Sequence, residues 1–85
     1  MANKIFLKRS VQKDLKSIDK KNQVRILDEI LTELSANASA GKPLKNSEYF
    51  SLRVGSYRII YQKLRDGLLI VRVGHRKDVY QNLDD

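Results

Sequence analysis

Side chains that could bind and cleave a phosphodiester occur in two short stretches of the second half of the chain. The first contains Arg53 and Arg58, and the second contains His75, Arg76 and Tyr80. A guanidinium group can bind two phosphate oxygens at once. An imidazole exchanges protons near neutral pH, and a phenol can donate a proton or stack on a nucleic-acid base. Metal-free RNA cleavage needs a group that activates the ribose 2′-hydroxyl, cations that stabilise the extra charge on phosphorus, and an acid for the leaving oxygen. These stretches offer a candidate for each role.

The charge of the chain favours a polyanionic partner. The 85 residues include 17 Lys and Arg against 10 Asp and Glu, a formal net charge of +7. Residues 42–77 alone hold nine basic and two acidic residues. Such a field favours nucleic acid or an acidic protein, although a solvated basic surface would also account for it. There is no cysteine, which excludes disulfides and thiolate chemistry, and the acids near the arginines form no carboxylate cluster, so we expect no metal and no cofactor.

The length and the hydropathy pattern indicate the class of protein. A chain this short is predicted to form one domain over residues 1–85. No apolar run approaches the roughly 20 residues that a membrane span needs, and the first residues lack the apolar stretch of a signal peptide. We therefore expect a cytoplasmic protein with no membrane partner.

The helices that must position these side chains follow from the spacing of apolar residues. Residues 4–8 are predicted to form a strand, and a first helix capped by Ser10 follows it. Asp19 is predicted to cap a second helix over roughly 20–36. Residues 35–47 are predicted to be the end of that helix and a loop. The apolar stripe of the second helix, expected to lie in the core, contains Val24, Leu27, Ile30, Leu31 and Leu34, and Ile26 widens it.

Three further strands are predicted over 48–54, 57–64 and 68–74. Gly55-Ser56 suits a two-residue type II′ turn between the first two, and Asp66-Gly67 suits a type I′ turn before the last. The order predicts an α+β fold, with two N-terminal helices packed on one face of a small, mainly antiparallel four-stranded sheet (β-α-α-β-β-β).

The two turns predict a register for the sheet. If both turns have two residues, Arg53 opposes Arg58, and Arg58 opposes His75. Strict alternation assigns Arg72 to the face covered by the helices. That face is also predicted to hold Phe50, Leu52, Val54, Tyr57, Ile59, Tyr61, Leu68 and Ile70. The opposite face is predicted to hold Tyr49, Ser51, Arg53, Arg58, Gln62 and His75, with Ile60, Val71 and Val73 beside them. Arginines side by side on a strand pair either separate their charged ends in water or bind a phosphate together.

Two segments resemble the RelE/ParE superfamily of toxin–antitoxin toxins, in its RelE-like branch. They are residues 49–61, which contain LRVGSYRIIY, and residues 73–80, which read VGHRKDVY. The loop over 41–45 is similar to the loop that follows the helices in that family. The resemblance covers nearly the whole chain, and it implies a small sheet with two packed N-terminal helices.

The resemblance also implies a function. RelE-like toxins enter the ribosomal A site and cleave mRNA there by metal-independent attack of the 2′-hydroxyl, which inhibits translation. By analogy, Arg58 and Arg76 would orient the phosphate and stabilise its charge, and Tyr80 would stack on a base or transfer a proton. His75 is added on its own chemistry, as a candidate base or acid.

Further residues are expected to bind RNA around this set. The best-known RelE-type sites carry two lysines at the positions of Tyr49 and Ser51, and neither residue is a cation here. Positive charge is therefore expected from Arg53 on the same face and from Lys45 in the loop. The predicted RNA-binding residues are Lys45, Tyr49, Ser51, Arg53 and Lys77.

The expected partners are the ribosome, mRNA and a cognate antitoxin protein. The antitoxin should carry an acidic or amphipathic segment that covers the basic face or displaces the region of Tyr80, in a toxin–antitoxin hetero-oligomer. Two alternatives stay open: a ParE-like toxin that poisons DNA gyrase without nuclease activity, and a relic that only binds its antitoxin. The set of Arg58, His75, Arg76 and Tyr80 favours the nuclease, because a gyrase poison has no need of a phosphate-cleaving cluster.

Overall fold

The computed structural model describes residues 3–45 and 47–75, which form helices packed on a mixed sheet. The helices are α1 (Arg9–Lys16) and α2 (Lys20–Glu29), and α2 continues into a π-helical turn at Ile30–Leu34. The strands are β1 (Lys4–Leu7), β2 (Lys42–Pro43), β3 (Tyr49–Val54), β4 (Tyr57–Leu64) and β5 (Gly67–His75). The order in the sheet is β1-β5-β4-β3-β2; β1 runs parallel to β5, and the other pairs are antiparallel. The predicted α+β class, with helices on a mainly antiparallel sheet, is confirmed.

Within residues 3–45 and 47–75, the sheet has five strands, where the sequence predicts four. The additional strand is β2, in which Lys42 pairs with Ser51 and Pro43 pairs with Phe50 of β3. Proline lacks an N–H group, but it is tolerated here because β2 is an edge strand. A strand of two residues has no periodicity of its own, so the sequence pattern predicts only a loop at this place.

The two predicted helix caps have different outcomes. Asp19 caps α2 as predicted, since its carboxylate accepts a hydrogen bond from the backbone N–H of Asn22 at 3.4 Å. The side-chain amide of Asn22 also donates to this carboxylate at 2.7 Å, which lowers the pKa of Asp19. The predicted cap at Ser10 is wrong, because α1 already begins at Arg9. The N–H of Lys8 still donates to the carbonyl of Ile70, so the chain leaves the sheet and enters the helix within one residue.

The face that α2 turns towards the sheet differs from the predicted stripe. Ile26, Ile30 and Leu34 are fully buried, whereas Val24 and Leu31 are 60% and 63% exposed. The buried residues follow a spacing of four, which continues into the wider π-helical turn. The prediction therefore identified the helix correctly but included two residues that face outwards.

The first hairpin has the predicted register. Val54 opposes Tyr57 and Arg53 opposes Arg58, so Gly55-Ser56 is a two-residue turn. The predicted second turn is wrong: Leu64 opposes Gly67, and the two-residue loop is therefore Arg65-Asp66.

Gly67 is needed by the neighbouring strand rather than by the turn. A Cβ atom on Gly67 would lie 2.2 Å from the backbone oxygen of Lys4, a distance that no side chain can occupy. Glycine here allows β1 to pair with β5. The sequence Asp-Gly occurs both as the two central residues of a turn and as a turn residue followed by the first residue of a strand. The sequence pattern therefore predicts the turn one residue too late.

A bulge in β5 changes which residues face the helices. Tyr61 opposes Ile70, but the next residue back, Ile60, opposes Arg72, so Val71 is an extra residue in β5. Because side chains alternate between faces, residues 72–75 are on the faces opposite to the predicted ones. Val73 therefore lies in the core, and Arg72 lies on the other face.

The core lies between the helices and one face of the sheet. The eight apolar side chains predicted for that face are buried there or pack against the buried cluster, whereas Arg72, also predicted for it, lies on the other face. Val11, Ile18, Ile26, Ile30 and Leu34 fill the helix side of this core. None of the helices in the described parts of the chain is long and apolar enough to cross a lipid bilayer.

Candidate functional site

The sheet face opposite the helices carries a row of residues that crosses four strands. Residues directly opposed on neighbouring strands share a face. From β2 to β5, one row is therefore Lys42, Ser51, Ile60 and Arg72. The next row, from β3 to β5, is Arg53, Arg58 and Gly74.

We call the four cations of these two rows, Lys42, Arg53, Arg58 and Arg72, the basic face. Strands β2 to β5 contain no Asp or Glu at any position. The acids next to them in the sequence are Glu48, which precedes β3, and Asp66, in the β4–β5 loop. Strands β2 to β5 therefore add no negative charge of their own to the basic face, which favours the binding of an anion.

Arg53 and Arg58 oppose each other directly, and their charged ends are held apart. Like charges at such a position repel. The Nε of Arg53 donates to the carbonyl of Gly55 at 3.2 Å, towards the turn. The Nη1 of Arg58 donates to the hydroxyl of Ser51 at 3.2 Å, in the other direction along the sheet. The two side chains thus form hydrogen bonds in opposite directions, and both border one space on this face.

That space is part of a cavity of about 320 Å³. It is lined by Lys42, Ser51, Arg53 and Arg58, with Ala40 and Leu52. Ser51 is only 4% exposed and Arg58 is half-buried, whereas Lys42 and Arg53 are exposed. The cavity therefore has buried polar groups at its base and exposed cations at its rim. A cavity lined in this way can hold a phosphate group, which guanidinium groups bind through parallel N–H···O bonds.

Tyr61 holds the loop that brings Lys42 to this cavity. Its hydroxyl donates to the carbonyl of Ala38 at 2.8 Å and accepts from the N–H of Gly41 at 3.0 Å. A Cβ on Gly41 would lie 2.8 Å from both this hydroxyl and the carbonyl oxygen of Ser51, so only glycine allows β2 to approach β3 this closely. Burial raises the pKa of the Tyr61 hydroxyl. A core residue on the helix side thus fixes the position of a cation on the opposite face.

The predicted pairing of His75 with Arg58 is wrong. Because of the bulge, Arg58 opposes Gly74, and His75 opposes Tyr57 on the helix side of the sheet. The two rings meet edge to face, with their centroids 6.0 Å apart. His75 lines a second cavity of about 320 Å³ that also contains Asp14 and Ser17 of the helical region. His75 and Arg58 therefore belong to opposite faces of the sheet, although Arg72 borders the same cavity as His75.

The other predicted site residues are placed as follows. Lys45 is exposed in the turn after β2, and Tyr49 is half-buried at the start of β3. Ser51, Arg53 and Arg58 come together in the cavity. Arg76, Lys77 and Tyr80 lie outside the described residues. Within 3–45 and 47–75, no three His, Asp or Glu side chains form a group that could hold a metal ion.

Sequence reasoning missed two cations of the basic face. Lys42 was assigned to a loop, and only the pairing of β2 with β3 places it across from Ser51. Arg72 was assigned to the helix side, and only the bulge at Val71 reverses it. Neither the short strand nor the bulge has a signal in the sequence, although the absence of acids near both residues indicates a basic surface.

Comparisons with known proteins identify the family. The chain matches the family model described as the ParE toxin of the type II toxin–antitoxin system, parDE, over residues 5–80. The chain belongs to this family of type II toxins, in the RelE/ParE superfamily. It is therefore the toxin of a type II toxin–antitoxin system. No curated protein matches the sequence.

Solved structures resemble this toxin closely. A chain of the RelBE2 toxin–antitoxin complex from Mycobacterium tuberculosis is 25% identical with a TM-score of 0.84, and the match covers 89% of this toxin and 100% of that chain. A chain of the RelB–RelE antitoxin–toxin complex from Methanococcus jannaschii is 30% identical with a TM-score of 0.68. The match covers 85% of this toxin and 91% of that chain.

A mutant of the Escherichia coli RelE toxin in the free state shares the fold. It is 18% identical with a TM-score of 0.72, and the match covers 88% of this toxin and 84% of that chain. The sequence family thus carries the ParE description, whereas these solved structures carry the RelE name. The family model shows a type II toxin, and the Escherichia coli structure shows the fold alone.

Proposed function

We propose that this toxin is a ribosome-dependent mRNA endoribonuclease. In this proposal it enters the ribosomal A site in the cytoplasm and cleaves mRNA without a metal ion, which inhibits translation. The observation that carries the proposal is the cavity on the basic face, where Arg58 is anchored on Ser51 and two further cations line the walls. A surface that need only attract nucleic acid requires exposed charge, whereas a half-buried arginine with a fixed orientation suits the binding of one particular phosphate.

The chemistry of the proposed reaction fits these residues. The 2′-oxygen of a ribose attacks the adjacent phosphorus, the bond to the 5′-oxygen breaks, and the products are a 2′,3′-cyclic phosphate and a 5′-hydroxyl. One proton leaves the 2′-hydroxyl and another reaches the 5′-oxygen. The phosphorane formed between these steps carries additional negative charge, which positively charged hydrogen-bond donors stabilise more strongly than they stabilise the substrate.

In the proposal, Arg58 binds the scissile phosphate and stabilises the phosphorane. Arg76 and Tyr80 act with it as the resemblance implies, as a second cation and as a stacking or proton-transferring group. Lys42 lies across from Ser51, where RelE-type sites carry a lysine, so a cation reaches that position from the neighbouring strand. Lys45, Tyr49, Arg53 and Lys77 are proposed to bind the mRNA on either side.

The proposed inhibitor of this activity is the cognate antitoxin. A segment that is acidic or amphipathic would cover the basic face, because that face has charge to neutralise and no acids of its own in β2 to β5. The structures similar to this toxin include several toxin–antitoxin complexes. We expect a stable hetero-oligomer in which the nuclease is silent until the antitoxin is removed.

The second candidate function is poisoning of DNA gyrase without cleavage of RNA. The family description, which names the ParE toxin, favours this function. A gyrase poison needs a surface that fits gyrase, and it does not need Arg58 to be held in one orientation. The two candidates therefore differ in how strongly toxicity depends on Arg58.

The experiment adds the purified toxin to a cell-free translation system and, separately, to gyrase with supercoiled DNA. The nuclease proposal expects cuts within ribosome-bound mRNA and a loss of roughly 100-fold or more in Arg58→Ala, since a removed oxyanion contact costs about that much. Arg65→Ala is the matched control, because Arg65 is exposed in the β4–β5 loop and its removal lowers the net charge equally. Trapped gyrase cleavage complexes with intact mRNA would establish the second candidate.

A further inference from the structure

We propose that Arg72 is a phosphate-binding residue of this site and contacts the RNA backbone beside Arg58. The inference rests on the proposed nuclease function and adds a residue that neither the sequence pattern nor the family resemblance indicates. It is carried by three observations: the bulge in β5, the environment of the Arg72 side chain, and the apolar residue between the two arginines.

The bulge places Arg72 on the basic face. Arg58 pairs with Gly74, and Ile60 pairs with Arg72, so Arg72 is the diagonal neighbour of Arg58 across the β4–β5 ladder. Diagonal neighbours on one face are about 7–8 Å apart, within reach of long side chains. Without the extra residue Val71, Arg72 would point into the helix side, and its charge would have to be buried in the core.

The Arg72 side chain carries a buried polar atom that makes no hydrogen bond in the described parts of the chain. The residue is half-buried, and its Nε is buried without a hydrogen bond to any group of the described chain. Asp14 lines a cavity together with Arg72, but its carboxylate accepts the backbone N–H of Val73 at 3.1 Å. A buried polar atom without a partner is costly to the folded protein, and an anion bound by the same guanidinium group would offset part of that cost.

Ile60 forms an apolar floor between the two arginines. It is 0% exposed although it lies on the face away from the helices, and the stems of Arg58 and Arg72 flank it on that face. Charged groups beside an apolar, water-poor surface interact with an anion more strongly than they do in open solvent. The basic face is therefore built to hold a phosphate with guanidinium groups from two adjacent strands.

The first test is single-turnover cleavage of ribosome-bound mRNA. Loss of one charged hydrogen bond costs about 1.5–3 kcal/mol, so Arg72→Ala should cleave roughly 10- to 100-fold more slowly than the wild type. Arg72→Lys should recover part of the loss, because it keeps the charge without the planar fork. Arg65→Ala should stay within about twofold of the wild type, since exposed substitutions away from a site have small effects.

The second test does not depend on cleavage or on the stability of a variant. The wild-type toxin is titrated with a short RNA that carries 2′-O-methyl groups and cannot be cut, while the arginine Nε–Hε signals are followed by NMR. The signals of Arg58 and Arg72 should shift together, and the signal of Arg65 should not.

The outcomes separate the two proposals. If the wild type cleaves and requires Arg58, but Arg72→Ala behaves like Arg65→Ala and the Arg72 signal does not move, the role of Arg72 is refuted and the nuclease function stands. If the wild type leaves ribosome-bound mRNA intact, the nuclease function is refuted. The NMR titration then decides alone: a shift at Arg72 supports its contact with RNA, and an unmoved signal rejects it.

Discussion

Removing the Tyr61 hydroxyl tests how the core fixes the basic face. In Tyr61→Phe the ring is retained, but the N–H of Gly41 and the carbonyl of Ala38 lose their partner. A buried polar group without a partner costs about 1–3 kcal/mol, so we expect a loss of about 2 kcal/mol in the free energy of unfolding. For a domain of this size, that corresponds to a decrease of about 8–16 °C in Tm.

The measurement is urea and thermal unfolding followed by circular dichroism. The matched control is Tyr57→Phe, because Tyr57 lies on the same strand and face, and its hydroxyl makes no hydrogen bond within the described residues. Tyr57→Phe should stay close to the wild type. If Tyr61→Phe also unfolds within about 0.5 kcal/mol of the wild type, the size expected of an ordinary exposed substitution, the hydroxyl does not fix the loop and the reasoning fails.

The pH dependence gives the same prediction a second readout. Burial raises the pKa of Tyr61 above its usual value of 10.0, so the folded protein holds this proton more tightly than the unfolded chain. The contribution of the protonated Tyr61 hydroxyl to the free energy of unfolding is complete below about pH 10. It is lost as the pH rises through the pKa that this hydroxyl has in the folded protein. The difference in the free energy of unfolding between the wild type and Tyr61→Phe should therefore become smaller above about pH 10. If this difference stays constant up to pH 11, about one unit above the usual tyrosine pKa, the buried, hydrogen-bonded hydroxyl is not the cause of the stabilisation.

Three further predictions concern the fold and the histidine. Gly67→Ala places a Cβ 2.2 Å from a backbone oxygen of β1, so it should cost about 2–3 kcal/mol and remove hydrogen-exchange protection along β1; unchanged protection would refute the close approach. Val24→Ser and Leu31→Ser should each change stability by less than about 0.5 kcal/mol, whereas Ile30→Ala should cost about 2–5 kcal/mol, and equal losses would contradict the burial of α2. The cleavage rate of His75→Ala should stay within about threefold of the wild-type rate, because His75 and Arg58 lie on opposite faces of the sheet. A loss of about 100-fold in this rate would show that the imidazole reaches the substrate.

Local signals predicted both helices, four of the five strands in the described residues and the first hairpin. The cap at Asp19, the helix that follows it and the Gly55-Ser56 turn each depend on residues close together in the chain, so their patterns are visible in the sequence. The eight apolar residues predicted for the helix-covered face followed from alternation alone, and they are in the core or against it.

The features that no local signal indicates decide the candidate site. The bulge at Val71 moves Arg72 onto the basic face and His75 off it, and a bulge depends on how whole strands fit together. The pairing of Lys42 with Ser51 depends on contacts between β2 and β3. Gly67 was assigned to a turn because its contact with β1 joins residues that are far apart in the sequence.

The central claim is that Arg58 and its cavity serve to cleave mRNA on the ribosome. The most direct measurement is the mapping of mRNA 5′ ends on ribosomes after brief induction of the wild-type toxin, Arg58→Ala and Arg65→Ala. If the site that contains Arg58 cleaves mRNA, we expect new 5′-hydroxyl ends at the A site with the wild type and with Arg65→Ala, and almost none with Arg58→Ala. Growth arrest by the wild type with no new ends, or equal ends from all three proteins, would contradict it.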